Sequence, residues 1–131
     1  AAEAVAASPL VVACLATYDA VHEVLTPLTG DLAGRALVNL TSGSPRHALG
    51  TAAWAQRHGA GYLDGVIMTT PSGIGHPDVL QLYGGSAVAF DGHRDTLAAL
   101  GDPVHVSTDP AVPSVYDTAL LGLMSVSYTC V

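Results

Sequence analysis

The segment Leu-Val-Asn-Leu-Thr-Ser-Gly-Ser-Pro, residues 37–45, decides the fold class. A short apolar strand stops in a cluster of small hydrogen-bonding residues and turns straight into a helix, with Ser44 as its N-cap and Pro45 in its first turn. α/β proteins place their chemistry at such junctions: ligands sit outside the carboxyl ends of parallel strands, beside helix N-termini whose free N–H groups point at them. Asn39, Thr41 and Ser42 would stand at that rim.

The pattern repeats outward from this junction. Residues 10–15 form a continuous apolar run suited to a strand covered on both faces. Residues 17–25 follow as a helix capped by Thr17, with Ala20, Val21, Val24 and Leu25 as its apolar stripe, ended by Pro27 and Gly30. Residues 36–40 are the next strand, and the helix opened by Ser44 presents Ala48, Leu49, Ala52 and Ala55 on one face before Gly59. Residues 62–68, 79–83 and 104–107 read as strands, 87–100 as a helix closed by Gly101, and 1–7 as a helix. Residues 112–124 read as a strongly apolar helix, with Val115, Ala119, Leu120 and Leu123 at helical spacing. Strands alternating with helices imply βαβ crossovers and an α/β fold with a mainly parallel sheet.

At 131 residues the chain is the size of one domain with one core. Its formal charge of −7 sets 11 acids against four arginines spread singly, so no basic patch for nucleic acid is expected. Lysine is absent, which excludes a P-loop lysine, a Schiff-base lysine and a lysine general acid. The longest uncharged stretch, residues 4–18, is broken by Ser8 and Pro9 and is too short for a membrane span. With no basic-then-apolar leader and only Cys14 and Cys130 as thiols, the expectation is a reduced, cytoplasmic protein. The histidines at 22, 47, 58, 76, 93 and 105 form no cluster at metal-ligand spacing and read as surface residues, with no metal implied. Trp54 and Tyr62 read as core or helix-packing aromatics.

Two motifs fail. Gly-x-Gly-x-x-Gly, which lets a backbone approach a pyrophosphate, is not formed by Gly59/Gly61, Gly73/Gly75 or Gly84/Gly85. Gly-x-Ser-x-Gly, the serine-hydrolase elbow, fails at Val88 in Gly84-Gly85-Ser86-Ala87-Val88. A chain that opens in a helix already running into a strand suggests a fragment without its first βαβ unit.

Four ordered stretches, VVACLATYDAVHEVL (11–25), NLTSGSP (39–45), YLDGVIMTTP (62–71) and YDTALLGLM (116–124), resemble the imine reductases and reductive aminases. These belong to the wider β-hydroxyacid dehydrogenase and 6-phosphogluconate dehydrogenase-like group. The resemblance covers nearly all of residues 1–124 and implies an incomplete Rossmann-like domain over residues 1–111. It further implies the start of an interdomain helix over 112–131, with residues 125–131 departing from the family pattern. It implies NADPH (NADP) as cofactor, a small-molecule imine or a ketone and amine as substrate, and a homodimer in the full-length family, with neither nucleic acid nor membrane as partner.

By the same resemblance, Asp117 stands where hydroxyacid dehydrogenases carry a general-acid lysine and many imine reductases an aspartate; it would stabilise an iminium or assist its protonation. Without the resemblance it reads as an exposed acid favoured by a helix dipole. Asn39 matches a residue near the nicotinamide and the reacting carbon, and otherwise reads as a strand-end cap. Leu15, Ala16 and Thr17, with Asn39 and Thr41, match the surroundings of the cofactor, and Met68 and Thr69 the substrate pocket. The expected activity is NAD(P)H-dependent reduction of C=N bonds by hydride transfer. The alternatives are a β-hydroxyacid dehydrogenase-like oxidoreductase and a truncated, non-catalytic chain.

Overall fold

Side chains alternate across a strand, and in the central strands this alternation divides the apolar residues between two cores. A computed structural model describes residues 1–129. In chain order the elements are α1 (Ala2–Ala7), β1 (Leu10–Ala13), α2 (Tyr18–Leu25), α3 (Thr29–Leu32), β2 (Ala36–Asn39), α4 (Pro45–Arg57) and β3 (Gly61–Ile67), followed by β4 (Leu80–Gly85), α5 (Ala87–Leu97), β5 (Asp102–Ser107) and α6 (Val112–Thr129). The five strands form one sheet in sequence order, β1-β2-β3-β4-β5.

On one face, Leu37 and Tyr62 pack with Val5, Val21, Leu25, Leu32 and Ala55 from the helices α1–α4. On the other, Ala36, Val38, Leu63 and Tyr83 pack with Ala89, Phe90 and Leu97 of α5. The sheet is thus a middle layer between helices. β1, β2 and β3 run parallel, β4 runs antiparallel to β3, and β5 parallel to β4. The carboxyl ends of β1, β2 and β3 therefore lie along one edge, and those of β4 and β5 along the opposite edge. α6 packs across β3, β4, β5 and α4.

Several local expectations need correcting. Residues 10–15 do not make a strand covered on both faces: β1 stops at Ala13, pairs only with β2, and leaves Val12 48% exposed at the sheet edge. Its extension is blocked because the Leu15 N–H donates to the Thr41 hydroxyl instead of to a strand. α2 ends at Leu25, before Pro27, as expected, but a separate 3-10 turn, Thr26–Leu28, and then α3 follow at once. Pro27 sits in the first turn of that new segment, where its missing N–H has no partner to lose. This helical run ends at Gly34, whose φ of +75° suits glycine. The last helix does not stop at Met124 but runs through Thr129. Not all histidines are free surface groups: His22 is bonded to Thr51 at 2.9 Å, His58 to the Trp54 carbonyl at 2.8 Å and His105 to the Gly85 carbonyl at 3.0 Å. Cys14 is an exposed free thiol, and Cys130 lies outside the described residues.

Gly85 is needed where β4 turns into α5. Its φ is +125°, and a Cβ there would overlap the Tyr62 carbonyl oxygen. Gly85→Ala is expected to lower stability by about 2 kcal/mol or more, since a strained backbone and a backbone clash add. Gly50→Ala, in open space on α4, should be neutral or stabilising by up to about 1 kcal/mol. Urea unfolding midpoints of the two variants check both signs.

Candidate active site

Three junctions meet at the carboxyl edge of β1, β2 and β3: residues 14–17, 40–44 and 68–70. Thr17 caps α2, its hydroxyl accepting from the Ala20 N–H at 3.1 Å. Ser44 and His47 cap α4 reciprocally, each side chain accepting from the other's backbone N–H. Gly43, just before this cap, lies against the Tyr18 ring, and a Cβ there would overlap it. The Tyr18 ring also stacks on His47, with centroids 5.2 Å apart. Tyr18 is thereby wedged between two junctions with its hydroxyl aimed inward.

That hydroxyl meets the main polar feature of the interior. Asp64, in the middle of β3, is only 1% exposed. Its Oδ2 accepts from the Tyr18 hydroxyl at 2.5 Å and the Tyr62 hydroxyl at 2.7 Å, while Oδ1 faces the Ser114 hydroxyl at 3.4 Å. Tyr62 and Asp64 are two residues apart on one strand and so share a face. The Tyr62 oxygen in turn accepts from the Asn39 Nδ2 at 3.2 Å, and the Asn39 Oδ1 accepts from the Thr41 N–H at 3.1 Å. The chain ends at the Thr41 hydroxyl, which accepts from the Leu15 N–H at 3.0 Å. A continuous run of hydrogen bonds thus joins a buried carboxylate to the loop after β1.

Burial raises the Asp64 carboxyl to about 6, against the opposing pull of the three hydroxyls that favour its charged form. Burial also raises the Tyr18 and Tyr62 hydroxyls, and the neighbouring Asp64 charge raises them further, so both remain protonated donors.

The residues expected at the site separate into two groups. Leu15 and Ala16 line a cleft of about 420 Å³ with Ser42, Ile67 and Thr69. Asp117, half-buried on α6, lines a second cleft of about 310 Å³ with Met68, Thr69, Leu120 and Met124. The clefts adjoin through Ile67 and Thr69. Asn39 and Thr41 lie beneath this surface, 0% and 2% exposed, and Thr17 is occupied in capping. Asp64, Tyr18 and Ser114 were not singled out from the sequence. The available signal was an aspartate inside the apolar strand YLDGV, since a buried carboxylate requires donors. Among the described residues no group of His, Cys, Asp and Glu could hold a metal ion, and no helix is long and apolar enough to cross a membrane.

The titration of Asp64 gives a signed prediction. Its carboxyl is raised in the fold relative to the unfolded chain, so the folded state binds the extra proton between about pH 4 and 6. The contribution is favourable at the acid end and is lost as pH rises through that window. Asp64→Asn, neutral throughout, should therefore gain stability relative to the native chain between pH 4 and 7, as read from urea midpoints at each pH; a constant difference would contradict it.

No family model matches the sequence. The chain is 35% identical over 123 residues to the NADPH-dependent reductive aminase of Aspergillus oryzae, covering 93% of this chain and 42% of that protein. Its fold matches an imine reductase from Myxococcus stipitatus in complex with NADP+, with a TM-score of 0.92 and 41% identity over 96% of this chain and 45% of that one. It also matches a reductive aminase from Aspergillus terreus in complex with NADPH and ethyl levulinate, with a TM-score of 0.90 and 36% identity over 98% of this chain and 45% of that one. The chain thus spans less than half the length of each of these proteins. On sequence and fold together, this Rossmann-like chain is similar to the imine reductases and reductive aminases across nearly all of its own residues.

Proposed function

We propose that the protein carrying this chain is an NADPH-dependent oxidoreductase that reduces C=N bonds, acting on small imines or on a ketone with an amine. The observation that carries the reading is the position of Asp117, which lines one cleft with Met68 and Thr69, next to the cleft of Leu15 and Ala16. An acidic side chain in a mostly apolar cleft suits a cationic iminium: it offsets the positive charge and can pass a proton to nitrogen. By the resemblance, Asp117 and not a lysine stands where a β-hydroxyacid dehydrogenase carries its general acid.

The residues present fit the nicotinamide end of the cofactor. The loop of Leu15, Ala16 and Thr17 is held by Thr41 at the carboxyl edge of the sheet, and Leu15 and Ala16 border a cleft. When bound, NADPH supplies the hydride. The protein's part is to orient: Asn39 and Thr41 fix the loop from below, Met68 and Thr69 form the substrate wall, and Asp117 stands across it. In this reading residues 1–111 are part of an NAD(P)-binding domain, and residues 112–131 hold the start of an interdomain helix and a tail divergent in sequence, as compared with the 6-phosphogluconate dehydrogenase-like group. The exposed apolar side chains of α6, Val115, Leu121 and Leu123 among them, support a homodimer closed through this helix; the protein is further proposed to be cytoplasmic.

The protein should oxidise NADPH in the presence of a cyclic imine such as a pyrroline. Turnover of a β-hydroxyacid with none of any imine would overturn the assignment. Asp117→Ala should lower kcat by about 100-fold, as for loss of an acid–base group, while shifting stability by less than about 0.5 kcal/mol because the residue is half-buried at a cleft wall. Steady-state rates and a melting curve on the same sample separate the two effects.

A further inference from the structure

The run of hydrogen bonds that ends at Asp64 fixes more than the packing of two tyrosines. Asp64 receives donors from three elements, Tyr18 of α2, Tyr62 of β3 and Ser114 of α6. An ionised carboxylate can only accept, so the Tyr62 hydrogen must point at Asp64. The lone pairs of the Tyr62 oxygen are then left to accept, and the group facing them is the Asn39 amide nitrogen, at 3.2 Å. This sets which way round the Asn39 amide lies, with NH2 toward Tyr62 and C=O toward the Thr41 N–H. We propose that Asp64 is a positioning residue for Asn39: by collecting the Tyr18, Tyr62 and Ser114 hydroxyls, its carboxylate sets the orientation of the Asn39 amide and, through Thr41, the loop at Leu15.

Protonating Asp64 on Oδ2, the oxygen that accepts from both tyrosines, leaves that atom one lone pair for two donors, so one tyrosine hydroxyl must turn away. If Tyr62 turns, its hydrogen meets the Asn39 NH2 group and the amide must rearrange. Burial and the three hydroxyls set the titration of Asp64, and among the described residues no charged side chain adds to it. From α4, His47 stacks on Tyr18 and is the titratable neighbour to control for. The link from Asn39 to catalysis rests on the function proposed above; the link from Asp64 to Asn39 does not.

The test exploits the composition, because Asn39 is the only asparagine, and Gln56 and Gln81 are the only glutamines. In the 15N-labelled native chain and in Y62F the Asn39 side-chain NH2 pair is one of three, and in H47Q and D64N one of four, to be followed by NMR as the pH is lowered from about 7.5 to about 5. The native chain and H47Q should both show the Asn39 pair moving with a midpoint near pH 6, accompanied by the Leu15 backbone amide. D64N and Y62F should show neither movement, and Y62F, which keeps the carboxylate and a ring of nearly the same shape, decides the matter if D64N does not fold. An Asn39 pair that is invariant in the native chain, or that titrates unchanged in Y62F, overturns the proposal. No cofactor enters this experiment, so a titrating Asn39 in a protein that reduces no imine would sink the proposed function and leave the positioning role standing.

Discussion

The structure depends on the satisfaction of one buried carboxylate. A charged group taken out of water inside a sheet costs several kcal/mol unless it is hydrogen-bonded, and among the described residues no cation pairs with Asp64. Three hydroxyls meet the requirement, each from a different element. Their geometry constrains the rest. Tyr18 reaches Asp64 only if α2 starts where it does, which requires Gly43 to leave room for its ring. Ser114 reaches it only if the first turn of α6 lies across β3.

Much of the architecture was legible from pattern alone. The strand-to-helix junction at residues 37–45, the Ser44 cap and the alternation of apolar blocks follow from local chemistry, and the five strands and main helices appear where these signals put them. Boundaries went wrong where a long-range bond overrode the local preference. β1 ends early because Thr41, 26 residues away, takes the Leu15 N–H.

The site was legible in part. Leu15, Ala16, Met68, Thr69 and Asp117 stand along two adjoining clefts, since each follows or faces the carboxyl end of a parallel strand. What sequence pattern could not give was depth. Asn39 and Thr41 sit at the same rim in sequence, yet both are buried and bonded within the fold. Tyr62 belongs to the core, as its aromatic ring suggests, but its hydroxyl also bonds Asp64 and Asn39. Periodicity reports which face a side chain takes and says nothing of the partner that its polar end finds there.

The order of strands in the sheet is the order of strands in the sequence, so each strand can join an edge that its predecessor has just formed. Contacts made this way are comparatively local and close early during folding. The bonds to Asp64 are of another kind, spanning 46 residues to Tyr18 and 50 to Ser114. A chain that has assembled β1 through β5 still lacks the donor from α6, and Asp64 is fully served only once that helix docks. The set of donors around Asp64 is therefore complete only in a fold on which the last helix is seated.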